Sequence, residues 1–150
     1  WNDAISVDLN GAFLCCREIG SVMKKQKNGT IVNISSIYGL IGADQRIYGN
    51  STLNSPVSYA VTKGAIVNLT RYLAAYWQNT NVRVNTLSLG GVRDNSYMQS
   101  EFIKNYSKKT ILGRMAEKSE YNGSLLFLLS DASSYMTGSN LIIDGGWTAW

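Results

Sequence analysis

Two side chains in this sequence are spaced for proton transfer. Tyr59 and Lys63 stand four residues apart in Tyr59-Ala60-Val61-Thr62-Lys63, and residues four apart share one face of a helix. A phenol with its ordinary pKa of about 10 is a poor acid or base at neutral pH. A cation beside it favours the phenolate, so the pair suits the giving or taking of a hydroxyl proton. Ser36, closing the run Thr30-Ile31-Val32-Asn33-Ile34-Ser35-Ser36, adds a hydroxyl that can hold a substrate oxygen beside Tyr59. Ser35 is the alternative of the pair. Asn10 adds an amide able to orient a water or to fix the backbone near Lys63. Any helix can carry Tyr-x-x-x-Lys on its surface; the weight comes from order and context.

The elements that must position these groups follow from hydropathy spacing. Ile5, Leu9, Ala12, Phe13, Cys16, Ile19 and Met23 recur every three or four residues, which predicts a helix with one buried face. Asn2 or Asp3 can cap it, and Asn28-Gly29 should stop it. The β-branched run over 30–36 reads as a strand. Residues 37–54 read as a long loop, and such loops in compact domains are usually functional. Ser55-Pro56 marks a helix start, with Ser as cap and Pro in the first turn, and the helix should reach about Asn79. Val82 to Ser88 reads as a second strand, broken at Leu89-Gly90-Gly91. Shorter helices are expected over Tyr97–Tyr106 and about Glu117–Leu129, and a third strand over Asn140–Asp144. This order predicts a parallel sheet with helical crossovers. Ligands on such sheets bind beyond the C-terminal strand ends, here Ser35-Ser36, Ser88 to Gly91, and Asp144-Gly145-Gly146.

Composition narrows the alternatives. The net charge is +4, but the cations are scattered rather than gathered in one tract, so nucleic-acid binding is not expected. No apolar run approaches the roughly 18 residues of a membrane span. Cys15 and Cys16 are neighbours on a helix and point apart, which disfavours a disulfide between them. Two reduced, mostly buried thiols are expected, as in a cytoplasmic protein. The chain has no histidine, so a structural metal site is not expected.

Taken together the pieces resemble the short-chain dehydrogenase/reductase family from its fifth strand region onward. They are Asp8-Leu9-Asn10-Gly11, Gly29 to Ser36, Tyr59 to Lys63, Val82-Arg83-Val84-Asn85, and Thr137-Gly138 leading to Asp144-Gly145-Gly146. The resemblance covers essentially all 150 residues. It implies an α/β fold: the C-terminal half of a Rossmann-like, doubly wound parallel sheet, three strands with flanking helices. It implies an NAD(P)-dependent oxidoreductase with Asn10, Ser36, Tyr59 and Lys63 as the catalytic set. Tyr59 would be the acid/base, Ser36 would orient the substrate, Lys63 would bind the nicotinamide ribose, and Asn10 would sustain a water relay. Tyr59, Lys63, Gly90, Gly91 and Val92 would contact NAD or NADP.

The sequence departs from the family in three ways. The glycine-rich loop that cradles the pyrophosphate, and the N-terminal half that carries it, are not among these residues. Leu89-Gly90 stands where the family usually has Pro-Gly, and Arg93, Asp94 and Asn95 stand where it usually has Thr. The loop between Ser36 and Tyr59 is longer than the commonest form. With the Trp147-Thr148-Ala149-Trp150 ending, that loop is similar to members from bacterial surface-polysaccharide and flagellin-glycan pathways, which implies a sugar or nucleotide-sugar ligand. A loop that only packs at a subunit interface is the competing reading. The family further implies a homodimer or homotetramer through the helices at 1–27 and 55–79. An inactive, truncated oligomerisation module is the alternative to an enzyme. In isolation the 150 residues are expected to be inactive, and to be poorly soluble or in need of a partner.

Overall fold

The computed structural model describes every residue except Asn95 and Tyr97. Three strands, β1 (Gly29–Ser36), β2 (Val82–Leu89) and β3 (Asn140–Ile143), form one parallel sheet in the order β1-β2-β3. The register sets Ser36 opposite Leu89, and Leu89 opposite Ile143. All three strands therefore finish at one end of the sheet, where the polypeptide leaves as Ile37, Gly90 and Asp144.

Strand parity decides which helix lies on which face, because successive side chains alternate. On β2, Val84 packs with Cys16, Leu73 and Trp77. These come from α2 (Gly11–Gln26) and from the segment of α3 (Val57–Tyr76) and its C-cap Trp77. Its neighbour Arg83 points the other way and donates to the carbonyls of Leu128 and Ser130 at the end of α5 (Asn122–Leu129). Helices thus cover both faces, which makes the sheet doubly wound as the sequence predicts.

The α2–α3 face holds a polar chain inside an apolar cluster. Cys16 Sγ donates to Asn33 Oδ1 (3.3 Å), Asn33 Nδ2 to Thr70 Oγ1 (2.9 Å), and Thr86 Oγ1 to Thr70 Oγ1 (2.8 Å). All four residues are buried, so each polar group needs these partners. Burial, the largest influence, pushes the Cys16 thiol up. Cys15 is exposed, and both thiols are free.

Several boundaries differ from the sequence expectations for local reasons. The first helix opens as a turn at α1 (Asn2–Ala4), passes through a π-helical stretch at Ile5–Asn10, and only then becomes α2. Trp1, rather than Asn2 or Asp3, occupies the cap position without a side-chain bond. The helix stops at Lys27, which takes the left-handed conformation (φ 54°). In α3 the cap is Pro56, not Ser55, because Pro56 is still extended (ψ 144°). That helix ends at Tyr76, and a turn follows in which Asn79 and Asn81 have positive φ. The segment at 37–54 is not plain loop: it carries 3-10 turns at Ile37–Gly39 and Gln45–Tyr48. The expected helix at 97–106 is α4 (Ser100–Ser107); its expected start at Tyr97 lies outside the described residues. Over 117–129, Glu117 caps a 3-10 turn at Lys118–Tyr121 through a reciprocal bond with Glu120, and α5 follows.

A second apolar cluster sits beyond the C-terminal strand ends. Ile37, Ile47, Tyr106, Met115 and Trp147 are buried there, with Tyr48, Met98 and Phe102 packed against them. This cluster roofs the end of the sheet where the expected site lies.

Candidate active site

A cleft of about 430 Å³ opens at the C-terminal ends of β1 and β2. Ser36, Tyr59 and Lys63 border it together with Gly90, Gly91 and Val92. Three separate elements thus deliver the predicted residues to one place: the end of β1, the first turns of α3, and the segment after β2.

Close backbone packing fixes β1 against α3. A Cβ on Gly39 would fall 2.6 Å from the Lys63 carbonyl carbon and oxygen, and one on Gly64 would fall 3.3 Å from the Gly39 oxygen. Glycine at 39 lets the turn after Ser36 approach the helix bearing Tyr59 and Lys63 so closely, and glycine at 64 eases the same contact. Ser35 Oγ adds a bond to the Lys63 carbonyl (2.7 Å). Lys63 Nζ reaches back to donate to the Ile34 carbonyl (3.3 Å) and stands 5.6 Å from the Tyr59 ring centroid.

The two serines differ in what they do. Ser35 Oγ spends its proton on the helix. Ser36 Oγ instead accepts from the Tyr38 N–H (3.2 Å), which leaves its own O–H available to a ligand in the cleft. Asn10 does not border the cleft: it closes the π-helical stretch and is exposed. The stretch itself leans on α3, where the fully buried Thr62 Oγ1 lies 3.5 Å from Asp8 Oδ2.

The segment after β2 is held from both sides. Gly90 N–H donates to the Ile143 carbonyl (2.8 Å) and the Gly90 carbonyl accepts from the Tyr121 hydroxyl (3.1 Å). The Gly91 N–H donates to the Tyr106 hydroxyl. A Cβ on Gly90 would fall 2.8 Å from Asp144 Cα, so a side chain there would push the strand ends apart. Burial pushes the Tyr121 phenol up to about 12 and raises that of Tyr106 as well. Both therefore stay neutral, as donors and acceptors, across the ordinary pH range. Asp144 ties down the C-terminal turn, accepting from the N–H groups of Gly146 and Thr148 and from Thr148 Oγ1. Burial acts to raise its carboxyl pKa; the bonds from Thr148 and Gly146 outweigh it and hold the group below its ordinary value. Sequence reading missed the tyrosine clamps on Gly90 and Gly91, since no local pattern marks which distant tyrosine meets a turn.

The far wall of the cleft is aromatic: Tyr38, Tyr48, Phe102 and Tyr106 border it with Met98 and Met115. Tyr38 and Tyr48 come from the segment after β1, and Phe102 and Tyr106 from α4. The Tyr48 and Phe102 rings lie 5.3 Å apart, those of Tyr106 and Trp147 4.4 Å apart. Burial, the largest influence, raises the pKa of Tyr38 and of Tyr48.

Comparison with known proteins places the fold in a family. The family model described as enoyl-(acyl carrier protein) reductase matches residues 1–148. A short chain dehydrogenase from Leptospira borgpetersenii, crystallised with bound NAD+, superposes with a TM-score of 0.90 at 45% identity, over 98% of this chain and 56% of that one. The chain belongs to the short-chain dehydrogenase/reductase family. Within this family it is similar to the post-translational flagellin modification protein A of Campylobacter coli, with 38% identity over 145 residues, covering 97% of this chain and 56% of that protein. A gluconate 5-dehydrogenase from Burkholderia cenocepacia, solved with NADP and tartrate, superposes with a TM-score of 0.86 at 28% identity, over 100% of this chain and 56% of that one. The chain thus spans a little over half the length of these short-chain dehydrogenase relatives. No helix among the described residues is long and apolar enough to cross a membrane.

Proposed function

We propose that this chain is the catalytic half of an NAD(P)-dependent oxidoreductase acting on a hydroxyl or carbonyl carbon of a small, sugar-like substrate. The observation that carries the reading is the meeting of Ser36, Tyr59 and Lys63 in one cleft beside Gly90–Val92. The donor set suits the nicotinamide-ribose end of a dinucleotide: an ammonium and a phenol for the ribose hydroxyls, and open backbone at Gly90–Val92 for the ring. The glycine-rich loop that cradles the cofactor's pyrophosphate is not in this sequence, so that cradle would come from an N-terminal half of the same Rossmann domain. Bound there, the nicotinamide supplies the hydride acceptor or donor.

The chain's own residues handle the proton. In alcohol oxidation Ser36 Oγ–H donates to the substrate oxygen and holds it against Tyr59. The Tyr59 phenolate takes the hydroxyl proton, and the Lys63 charge steadies the phenolate before transfer. In carbonyl reduction the same phenol gives the proton back. Asn10, outside the cleft, would serve the exchange of this proton with solvent through a water relay, the role that the family resemblance implies. An aromatic wall suits the apolar faces of a sugar ring, and the relative named as a gluconate 5-dehydrogenase supports the same class. The test is Ser36→Ala and Lys63→Met in the intact polypeptide. Each should lower kcat/KM by roughly 10²-fold or more with the unfolding midpoint kept; unchanged turnover removes that residue from the set.

A second reading is an oligomerisation module without activity. Val7 and Leu14 on the first helix, and Val61, Tyr72 and Tyr76 on α3, are exposed apolar residues, and such faces mark contacts. A homodimer or homotetramer through these two helices serves either reading. Dimerisation without any binding of nicotinamide nucleotide favours the module, and nucleotide binding dismisses it.

A further inference from the structure

The segment between Ser36 and Tyr59 meets α4 at two points and the turn that follows the helix at a third. Tyr48 packs on Phe102, Asn105 Nδ2 donates to the Ile47 carbonyl (3.4 Å), and Lys109 Nζ pairs with Asp44 (2.7 Å). Between segment and helix lies a hollow of about 250 Å³, lined by Arg46, Ile47, Asn105, Lys108 and Lys109. Its lining contains three cations and no carboxylate.

Like charges do not gather without cause, and here one group gathers them. Asp44 Oδ1 accepts from the Arg46 N–H and Nε, and Asp44 Oδ2 from Arg46 Nη2 and Lys109 Nζ. Both carboxylate oxygens are saturated, and the carboxyl is held well below the usual carboxylate range, chiefly by Arg46 and then Lys109. One negative charge against three positive ones leaves two uncompensated. Arg46 Nη1 and the Lys108 ammonium make no ion pair among the described residues. The negative end of the α4 dipole accounts for Lys108 and Lys109, which directly follow that helix. It does not account for Arg46, which arrives from a different segment, nor for a carboxylate that sets Arg46 beside Lys109.

We propose that Arg46, Lys108 and Lys109 form a subsite for a phosphate group carried by the substrate, which makes the substrate a phosphorylated or nucleotide-linked sugar. The inference rests on the oxidoreductase reading for the position of the reacting carbon. The hollow and the cleft are lined from the same two elements: Ile47 precedes Tyr48, and Asn105 stands three residues, roughly 5 Å along the axis, after Phe102. Tyr48 and Phe102 both border the cleft. A ligand with its reacting hydroxyl at Ser36 and Tyr59 would cross the aromatic wall and end in the hollow. Arg46 gives a planar fork to phosphate oxygens and the lysines give point charges.

The probe is inorganic pyrophosphate, titrated calorimetrically into the intact polypeptide at low salt with nicotinamide dinucleotide present at saturation. Binding at one site is expected, weakened tenfold or more in Arg46→Gln and in Lys108→Gln and weakened by added salt. Both side chains are largely exposed, so an unchanged unfolding midpoint will show that the variants fold. Tyr59→Phe should bind pyrophosphate like the parent, because that tyrosine handles the proton and not the phosphate. Absence of binding, or binding that both Gln variants retain, overturns the subsite. Loss of the oxidoreductase reading would show instead as undiminished turnover in Tyr59→Phe, leaving this titration unaffected.

Discussion

Replacing Gly39 with alanine should damage stability and chemistry together. The added Cβ would stand 2.6 Å from the Lys63 carbonyl carbon and oxygen and 2.8 Å from Ser35 Oγ. Ordinary contact begins at 3.4 Å, so the turn and helix α3 must part by most of an ångström. The obstacle is helix backbone, which cannot rotate aside as a side chain would. Overpacking of this kind costs about 1–3 kcal/mol, or roughly 3–10 °C in unfolding midpoint for a domain of this size. The same shift separates Ser36, three residues earlier, from Tyr59 and Lys63 on the helix. A misplacement of about 1 Å costs on the order of 10²-fold in rate. Gly64→Ala probes the same contact from the other side, but its Cβ would lie 3.3 Å from the Gly39 oxygen. It should cost under about 1 kcal/mol, since a few tenths of an ångström suffice. Thermal unfolding followed by circular dichroism and steady-state turnover measure the two effects. A Gly39→Ala protein with parental midpoint and parental turnover would refute the claim that this contact sets the site.

Other expectations follow from the same geometry. Thr70→Val strips the partner of both Asn33 Nδ2 and Thr86 Oγ1 and should cost about 1–3 kcal/mol for each group left unsatisfied; denaturant unfolding reads the loss, and Thr70→Ser should recover most of it. Arg114 holds the Glu120 carboxyl down to about 2 from an ordinary 4.5. A depressed folded-state pKa gives stability that is present above pH 4.5 and lost as pH falls toward 2. The midpoint gap between parent and Glu120→Gln should therefore close over that window, and a gap independent of pH would exclude the ion pair as its source.

Much of the fold was legible in the sequence because hydropathy periodicity is local. The alternation in Val82–Ser88 and the three- and four-residue spacing from Ile5 to Met23 mark their elements without knowledge of the rest. The three residues that meet at the cleft were legible as an ordered pattern, Ser-Ser at a strand end and Tyr-x-x-x-Lys on the next helix. What the sequence did not disclose depends on distant contacts. Ser36 was preferred from the sequence, but the bond that occupies its neighbour, Ser35 Oγ to the Lys63 carbonyl 28 residues away, was not readable there. The π-helical stretch at Ile5–Asn10 keeps an ordinary helical pattern, so its changed hydrogen bonding left no mark in residue type. Pro56 sits one position earlier than its usual place in a first turn, a difference of one ψ angle. The 3-10 turns at Ile37–Gly39 and Gln45–Tyr48 exist because Ile37 and Ile47 are buried in the cluster with Trp147, roughly a hundred residues on. The cations of the proposed subsite looked scattered for the same reason: Arg46 and Lys109 are far apart in sequence and are joined only through Asp44.

The most direct test of the central claim is hydride transfer in Tyr59→Phe. The intact polypeptide would be mixed with nicotinamide dinucleotide and a polyol, and formation of the reduced cofactor followed by absorbance, with cofactor binding measured in parallel. The phenol-to-phenyl change keeps the ring and removes only the proton-carrying oxygen. Turnover should fall by roughly 10²–10⁴-fold while the unfolding midpoint stays at the parental value and the cofactor still binds. Parental turnover in Tyr59→Phe would contradict the account, because the proton would then be moved by another group.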